Sequence, residues 1–398
     1  MPFEVPNIRH LRVFLEVVVC KSISRASEQV FLSQPAITQA IAKLETTLGT
    51  LLFQRRSDGM FASKSGKIFA ARVERALDMI KEGLKDAMRL GAGKAQPEQL
   101  LQKLTTTQLR ALVAVTQAHN FSIASRNLNI SQSSLHRAAR ELEGLLNIVL
   151  FEKTSTGISS TKAARALAKA CKLAFSEINQ GRDEVDALHD REVGQLIIGG
   201  MPLARTSILP EAIIEFSAQY PDFRLKIDDG AYDDLLYHLR HGDIDILLGA
   251  LRFPEPADDV IQEELFSTPV AIVARPDHPL HNNNDIDLNA LRNYSWVVPH
   301  LGTPTRTIFE SLFTDAELEV PTQLVESGSQ ALIRSLLMGS DRLTIISEHQ
   351  IQHELENQTL KPIPYKLANA SRPIGITRRN SWMPTNTQLI FVNRLRNY

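Results

Sequence analysis

Cysteine is nearly absent from this chain. Cys20 and Cys171 are the two among 398 residues, which excludes the disulfide framework that stabilises small secreted domains. No apolar run approaches the roughly 18 residues that a membrane-spanning helix needs. The first residues lack the basic segment and apolar core of a secretory signal. We therefore expect a cytoplasmic protein with two buried, reduced thiols and no membrane partner.

Motifs of well-known catalytic chemistry are missing too. The sequence has no Gly-x-Ser-x-Gly nucleophile turn, no phosphate-binding glycine loop and no His-Glu-x-x-His metal motif. His278, His281 and His300 have a spacing that fits no standard set of zinc ligands. We expect no enzymatic activity and therefore no catalytic residues, no metal site and no cofactor.

The net charge of −1 conceals an uneven distribution. Residues 1–95 hold 15 Lys and Arg against 9 Asp and Glu, and residues 96–193 hold 12 against 10. Residues 194–398 hold 17 against 26. A basic first part joined to an acidic remainder is compatible with a nucleic-acid-binding segment attached to a different module. The length allows two to four domains, each with its own core.

The basic part contains the pattern of a helix-turn-helix. Apolar residues recur at helical spacing from Ile37 to Leu48, which predicts a helix with one apolar face. Ser33 stands where an N-cap belongs, and Pro35 falls in the first turn, where its missing N–H costs little. A shorter helix is predicted over 24–30. Two helices joined by so tight a turn would allow the second to enter a major groove of DNA.

A hairpin and a long helix follow this motif. Residues 51–61 predict two short strands around a turn at Asp58 and Gly59, which is a small wing. From about Ser63 to Arg89 an apolar stripe predicts one long helix, and the glycines and proline of 91–97 end it.

The same pattern returns 98 residues later without a gap. It predicts a second set of three helices, a wing around Thr156 and Gly157, and a long helix over 161–188. So many matches in one register indicate an internal duplication. The matched pairs include Leu11 with Leu109, Ser33 with Ser131, Gln34 with Gln132, Leu44 with Leu142, Glu45 with Glu143 and Phe53 with Phe151.

Beyond Gly194 the sequence changes in character. Short apolar runs alternate with helical patterns, which favours an α/β region with mostly parallel strands. At about 205 residues this region is large for a single small sheet, and its length favours two lobes.

Residues 8–66 closely resemble the winged helix-turn-helix of LysR-type transcriptional regulators. The motifs that carry this resemblance are Leu11-x-x-Phe14, Ser33-Gln34-Pro35-Ala36-Ile37-Thr38, Leu44-Glu45 and Leu52-Phe53-x-Arg55. Residues 194–390 resemble the effector domain of that family, through Gly194-x-Leu196-x-Ile198-Gly199 and Ala274-Arg275-Pro276-x-His278-Pro279. This chain departs from the family in one respect, because the family carries one winged helix-turn-helix and here there are two.

The resemblance implies a multi-domain fold. We expect two tandem α winged helix-turn-helix units with long linker helices, followed by an α/β two-lobed domain of the type 2 periplasmic-binding-protein fold. The expected boundaries are 1–65 for the first unit, 66–97 for a linker helix, 98–160 for the second unit, 161–192 for a linker or dimerisation helix, and 193–398 for the effector domain. Lobe I would take about 193–268 and 347–398, and lobe II about 269–346.

The family pairs its long helices antiparallel between subunits. By resemblance this chain would form a homodimer or homotetramer and would bind double-stranded DNA at an interrupted palindrome.

The predicted DNA-binding residues lie on the third helix and the wing of each unit. Amide side chains can bond adenine, and hydroxyl and cationic side chains can bond phosphates. The candidates are Ser33, Gln34, Pro35, Thr38, Gln39, Lys43, Arg55 and Arg56 in the first winged helix-turn-helix, and Ser131, Gln132, Ser133, Arg137 and Lys153 in the second winged helix-turn-helix. The second winged helix-turn-helix has Ser133 at the place of Pro35 and Asn147 at the place of Gly49. It is either a second reader with different base preferences or a retired copy kept as a scaffold.

Three predicted strand-to-helix turns, at 202–207, 302–305 and 327–329, can offer backbone N–H groups to an anionic or hydroxylated ligand. The resemblance puts a small-molecule inducer at these turns, in the cleft between the lobes. The candidate effector-binding residues are Thr206, Ser207, Ala231, Ala250, Arg252, Thr303 and Ser329.

The implied function is a ligand-responsive, sequence-specific DNA-binding transcription regulator, in which the inducer shifts the population of lobe arrangements. The alternative is a small-molecule-binding or enzymatic protein of the same fold with vestigial helices. Such a protein would lack salt-dependent affinity for DNA.

Overall fold

The computed structural model describes residues 5–57, 59–155, 157–283, 285–367 and 370–398. The predicted turn residues Asp58 and Thr156 lie outside the described residues. The chain divides into two compact units, one comprising Met1–Gly194 with Pro384–Asn386, the other Gln195–Met383 with Thr387–Tyr398. None of the helices in the described parts of the chain has the length and hydropathy of a bilayer-spanning segment.

In the first unit the same order of elements occurs twice. The elements of the first repeat are α1 (Ile8–Cys20), α2 (Ile23–Val30), α3 (Gln34–Leu48), β1 (Phe53–Arg56) and β2 (Gly59–Ala62), followed by α4 (Lys64–Leu90) and the connecting helix α5 (Pro97–Lys103). Those of the second repeat are α6 (Thr106–Ala118), α7 (Phe121–Leu128), α8 (Gln132–Leu146), β3 (Phe151–Thr154) and β4 (Gly157–Ser160), followed by α9 (Lys162–Ala187).

The duplicated residues make the same local bonds in both repeats. Ser33 accepts a hydrogen bond from the backbone N–H of Ala36 and so caps α3, while Ser131 caps α8 in the same way. The carboxylate of Glu45 accepts from the backbone N–H of Leu52 at 2.8 Å, and Glu143 accepts from Leu150 at 2.9 Å. Each glutamate therefore ties the third helix to the start of the hairpin.

The two long helices α4 and α9 pack on each other within the chain, and they run antiparallel. A β-carbon built on Gly83 would lie 2.3 Å from the Cβ of Ala170, and one built on Gly181 would lie 2.8 Å from the Cβ of Arg72. Only glycine allows so close an approach at these two crossings. The apolar stripes of these helices are buried against each other within one chain, which differs from the expected pairing between subunits.

This packing has pseudo-two-fold symmetry. Arg72 and Ala170 are equivalent in the duplication, as are Gly83 and Gly181, so the two glycine contacts are related by exchange of the repeats. Near the same axis the backbone N–H of Ile8 donates to the hydroxyl of Thr106, its duplicate position, at 2.9 Å. Such reciprocity is characteristic of a two-fold dimer interface, and here one chain supplies both sides.

We predict opposite effects of the same substitution at two helical glycines. Gly83→Ala is expected to destabilise the first unit by about 1–3 kcal/mol, because the new methyl group overlaps the side chain of Ala170. Gly144→Ala is expected to stabilise it by about 0.5–1 kcal/mol, because nothing lies within 4 Å of that position and helix propensity alone acts. Denaturant unfolding measures both, and equal shifts would contradict the close packing of α4 on α9.

The second unit is a mixed α/β structure. Its strands are β5 (Gly194–Gly200), β6 (Phe223–Asp228), β7 (Ile246–Ala250), β8 (Val260–Ala274), β9 (Trp296–Val298), β10 (Leu324–Glu326), β11 (Leu343–Ser347), β12 (Lys361–Pro362) and β13 (Ser371–Arg379). Its helices are α10 (Pro202–Thr206), α11 (Ile208–Gln219), α12 (Tyr232–Arg240), α13 (Leu288–Arg292), α14 (Pro304–Thr314), α15 (Gln330–Met338), α16 (Gln352–Glu356) and α17 (Asn386–Arg396), with short 3₁₀ turns at Pro279–Asn282 and Glu348–Ile351.

Two lobes share the long strand β8. The strand order is β10-β9-β11-β8-β13-β7-β5-β6, with β12 also on β8. The first part of β8 pairs with β13 and the last part with β11 and β12, all antiparallel. One core surrounds Phe216 and Phe391, and a separate core surrounds Trp296 and Phe309. The strand β8 passes from lobe I to lobe II near residue 269.

The point at which the chain returns from lobe II to lobe I differs from the expected boundary. Residues from 347 to about 370 were expected in lobe I, but Ile363 and Ala370 are buried in the core around Trp296. Lys361 pairs with Ala274 at the lobe II end of β8. Lobe II therefore extends to about residue 370, because this segment buries its apolar side chains there before β13 returns to lobe I.

Candidate functional site

The third helix of the first repeat presents a polar face. Its apolar residues Ile37, Ile41 and Leu44 are buried in the first unit, which leaves the opposite face in solvent. The candidate residues on this exposed face and at its N-terminus are Ser33, Gln34, Pro35, Thr38, Gln39 and Lys43. Arg55 and Arg56 are exposed on β1, where the guanidinium of Arg56 lies 5.2 Å from the ring of Phe61.

The second repeat presents the equivalent face with different chemistry. Its candidate residues are also exposed, namely Ser131, Gln132, Ser133, Arg137 and Lys153. The position of Thr38 is taken by His136, whose ring stacks on Phe121 at 3.7 Å between centroids. Burial, with Arg140 and Lys153 nearby, lowers the pKa of His136. Its imidazole is therefore held against the repeat and is favoured in the neutral form.

Charge differs between the two faces as well. In the second repeat Glu141 stands at the position of Lys43, Glu152 at that of Gln54 and Thr154 at that of Arg56. Arg140 donates to Glu143 at 2.6 Å, which offsets part of its charge. The first repeat is therefore the more basic of the two surfaces.

A buried polar network joins α4 to α9. The guanidinium of Arg72, fully buried, donates to Glu177 at 2.9 Å and to Gln180 at 3.0 Å. It also donates through Nε to Glu184 at 3.0 Å. Burial opposes the charge of Arg72, but the bonds to Glu184 and Glu177 outweigh it and raise its pKa. Sequence reasoning missed this network, since its members are more than 100 residues apart.

The second unit contains a cavity of about 1100 Å³ between its two lobes, a volume suited to a small organic ligand. Six of the seven candidate effector residues line it, namely Thr206, Ala231, Ala250, Arg252, Thr303 and Ser329. Ser207 instead is buried, and its hydroxyl donates to the backbone oxygen of Leu203 at 3.2 Å. Thr303 caps α14 and Ser329 caps α15, so these two hydroxyls also serve the helices.

Two further arginines line the cavity and were missed by the sequence analysis. Arg205 on α10 donates to Asp229 at 3.1 Å. Arg372 at the start of β13 donates to the hydroxyl of Thr305 on α14. Arg205 lies within the predicted turn at 202–207 but was not among the candidates. Nothing in the local sequence marks Arg372, because only the fold brings β13 beside α14, which lies far upstream. Among the described residues, no group of three His, Cys, Asp or Glu side chains is arranged to hold a metal ion.

Comparison with known proteins identifies both parts of the chain. A family model described as "LysR substrate binding domain" matches residues 189–397. A second model, "Bacterial regulatory helix-turn-helix protein, lysR family", matches residues 8–67 and again residues 106–165.

Similar proteins cover most of the chain. The transcriptional regulator GalR of Pseudomonas putida is 33% identical over 377 residues, which cover 95% of this chain and 93% of GalR. CfxR of Cupriavidus necator is 28% identical over 64% of this chain and 79% of its own length.

Solved structures share the fold. A full-length OxyR variant from Pseudomonas aeruginosa has a TM-score of 0.54 at 21% identity and covers 74% of this chain and 94% of its own. Full-length CbnR in complex with its target DNA has a TM-score of 0.50 at 18% identity and covers 73% and 98%. The matching models and the similarity to GalR over nearly the whole length show that this chain belongs to the LysR family, whose members are ligand-responsive DNA-binding transcription regulators.

Proposed function

We propose that each chain presents its two repeats to DNA as one reading pair, meaning the two repeats packed through α4 and α9. Each repeat would be a winged helix-turn-helix, with α3 or α8 as its recognition helix. The observation that carries the proposal is the pseudo-two-fold packing of α4 on α9, which leaves the polar faces of both α3 and α8 in solvent. Two recognition helices related by a two-fold axis are the arrangement that reads two half-sites.

The ion pairs of Arg72 favour pairing between unlike repeats. If α9 packed on a second copy of α9 in this register, Glu177 of one copy would face Ala170 of the other. Ala170 is the duplicate position of Arg72, so the carboxylate would have no arginine opposite it. A buried carboxylate without a partner is costly, so such a pair is disfavoured. In the unlike pair the carboxylate of Glu177 lies against Arg72, and Arg75 adds a second contact at 3.2 Å.

In the first repeat we assign base contacts to Gln34, Thr38 and Gln39. Amide side chains pair with adenine edges, and the N-terminal part of a recognition helix is the part that enters the groove. Lys43, Arg55 and Arg56 would neutralise phosphates.

In the second repeat we assign base contacts to Gln132, Ser133 and Arg137, with Lys153 on phosphate. Arginine prefers guanine, whereas glutamine prefers adenine. Because Arg137 stands at the position of Gln39, the two half-sites would differ in sequence. Glu141 and Glu152 would also weaken the hold of this repeat on the DNA backbone.

The cavity of the second unit is the proposed inducer site. A small molecule that binds one arrangement of the two lobes better than another would shift their population, and with it the DNA affinity of the chain. Thr206, Thr303 and Ser329 supply hydroxyl groups at the turns that line it.

We further propose a cytoplasmic homodimer or homotetramer. Since α4 and α9 are used within the chain, assembly would take place through other surfaces. A homodimer would then carry four recognition helices.

Selection of bound sequences from random DNA tests the reading pair. The proteins compared are the wild type, Thr38→Ala/Gln39→Ala, Ser133→Ala/Arg137→Ala, and Glu82→Ala/Lys85→Ala as a control whose two side chains form an exposed ion pair on α4. We expect an asymmetric motif for the wild type and the control, with each double variant losing information in a different half. A loss of about 1–3 kcal/mol of discrimination is expected per bidentate contact.

The outcomes separate the possibilities. If the Ser133→Ala/Arg137→Ala protein selects the wild-type motif, the second repeat is a scaffold and the proposal is wrong. If the wild type enriches no sequence, the assignment of the recognition helices is wrong in both repeats.

A further inference from the structure

We propose that Ser24 and Ser122 are positioning residues for base recognition. Each serine hydroxyl holds the side-chain amide of one glutamine, Gln34 or Gln132, in the orientation that reads an adenine. This inference rests on the base contacts proposed for the two glutamines and adds the residues that fix their geometry.

The same bond between a serine and a glutamine occurs in both repeats. In the first repeat, Nε2 of Gln34 on α3 donates to Oγ of Ser24 on α2 at 3.3 Å. In the second repeat, Oγ of Ser122 on α7 donates to Oε1 of Gln132 on α8 at 3.1 Å. Ser24 is equivalent to Ser122 in the duplication, and Gln34 is equivalent to Gln132. Both copies have therefore kept the two residues and the bond between them.

Burial does not explain why these residues were kept, because all four side chains are exposed. Exposed residues in the same helix and turn have diverged between the repeats. The differing pairs are Arg25 with Ile123, Glu28 with Arg126, Gln29 with Asn127 and Phe31 with Asn129.

Helix capping does not explain the two serines either. The side chains of Ser22 and Asn120 cap α2 and α7, and those of Ser33 and Ser131 cap α3 and α8. The hydroxyls of Ser24 and Ser122 bond the glutamine amides instead, so their role is to orient a side chain of the recognition helix.

The bond to serine leaves each amide able to read adenine. A glutamine amide has two N–H donors and an oxygen with two lone pairs, whereas adenine takes one donor at N7 and one acceptor at N6. In Gln34 the serine uses one N–H, which leaves the other N–H and the oxygen. In Gln132 the serine uses one lone pair, which leaves the second lone pair and both N–H groups. Each amide thus keeps the donor and acceptor pair that adenine requires.

Orientation before binding acts on base preference. An exposed glutamine side chain samples several rotamers, and ordering it on DNA lowers affinity unless it is already held. Only an amide held with its donor and acceptor in the right places distinguishes adenine from other bases, whereas phosphate contacts carry no base information. Loss of the serine hydroxyl should therefore weaken the preference for one base more than the affinity for DNA in general.

Competition binding of the full chain tests the inference. The probes are the duplex that the wild type selects from random DNA and duplexes in which one A·T pair of it is replaced. We expect Gln34→Ala to lower the preference for one adenine about fivefold or more. Ser24→Ala should lower the preference for that same adenine about two- to tenfold. Ser24→Thr, which keeps a hydroxyl, should behave like the wild type.

Three comparisons show that the serine acts through the glutamine. Ser24→Ala/Gln34→Ala should lose no more preference than Gln34→Ala alone. Ser122→Ala should weaken an adenine preference in the other half of the motif. Thr47→Ala is the matched control, because that exposed hydroxyl donates to the backbone oxygen of Lys43 at 2.8 Å within α3, and it should leave every preference unchanged.

Each contrary result has its own meaning. If Gln34→Ala leaves all base preferences unchanged, the proposed base contact is wrong and the inference fails with it. If Gln34→Ala removes a preference that Ser24→Ala leaves intact, the base contact stands and the positioning role alone is wrong. A Ser24→Ala protein that binds every duplex equally more weakly, or that has a clearly lower thermal midpoint, would show that the serine serves the fold or the DNA backbone and would also overturn the inference.

Discussion

Arg72→Ala is expected to destabilise the first unit by about 3–5 kcal/mol, the cost typical of removing one partner from a buried ion pair. The substitution leaves Glu177 buried, with Arg75 as its remaining contact at 3.2 Å. It also opens a gap beside Gly181, which packs against the Arg72 side chain. The lower end of the range is expected, because Arg75 already donates to both carboxylate oxygens of Glu177 and keeps part of its charge compensated.

Two further variants show whether the stability lost in Arg72→Ala comes from the broken ion pair or from the lost side-chain volume. Arg72→Met/Glu177→Leu replaces both charges by apolar side chains and should recover most of the lost stability, because neither charge is then left alone. Arg89→Ala removes an exposed partner of Asp86 on the same helix and should cost less than about 1 kcal/mol. Denaturant unfolding measures all three, and an equal loss for Arg72→Ala and Arg89→Ala would contradict the role given to the buried network.

The two wings are expected to contribute unequally to DNA affinity. Each cationic side chain that neutralises a phosphate adds about 0.9 to the slope of log affinity against log salt concentration. Arg55→Ala/Arg56→Ala should therefore lower that slope by about 2, and Lys153→Ala by about 1. Both effects should be independent of sequence, because phosphates carry no base information.

Measurement of affinity over a range of salt concentrations checks this prediction. Lys361→Ala, an exposed lysine of the second unit, is the control and should leave the slope unchanged. An unchanged slope for Arg55→Ala/Arg56→Ala would show that the first wing does not touch the backbone of DNA.

Local features of the first unit could be read directly from the sequence. Ser33 has the residue type and spacing of an N-cap, and the apolar positions of α3 recur every three or four residues. Both signals depend only on neighbours within one turn of helix. Because of the duplication, the same signals predict Ser131 as an N-cap and α8 as a helix.

The partner of the long helices could not be predicted in this way. The apolar stripes of α4 and α9 are equally compatible with packing inside one chain or between two chains, since helical periodicity does not specify a partner. The close approach of Gly83 to Ala170 favours packing inside one chain. The family resemblance pointed to packing between two chains, because the family pairs its long helices between subunits.

The cavity was predicted in part for a similar reason. Thr303 and Ser329 follow turn signals that are visible in the sequence, and both line the cavity. Arg372 lies in a strand 120 residues after Arg252, and no local pattern connects them. The antiparallel pairing of β13 with β7, which sets Ile374 opposite Ala250, brings the two together.

The central claim, that one chain holds both members of the reading pair, is tested most directly by cross-linking. The hydroxyl of Thr50 lies 3.1 Å from Nε2 of His189, across the contact between the repeats. In a Cys20→Ser background, Thr50→Cys/His189→Cys should be linked within single chains by a short bismaleimide. An equal mixture of the two single-cysteine proteins should give no link between chains. Covalent dimers from that mixture would show that the repeats pair between subunits and would contradict the account.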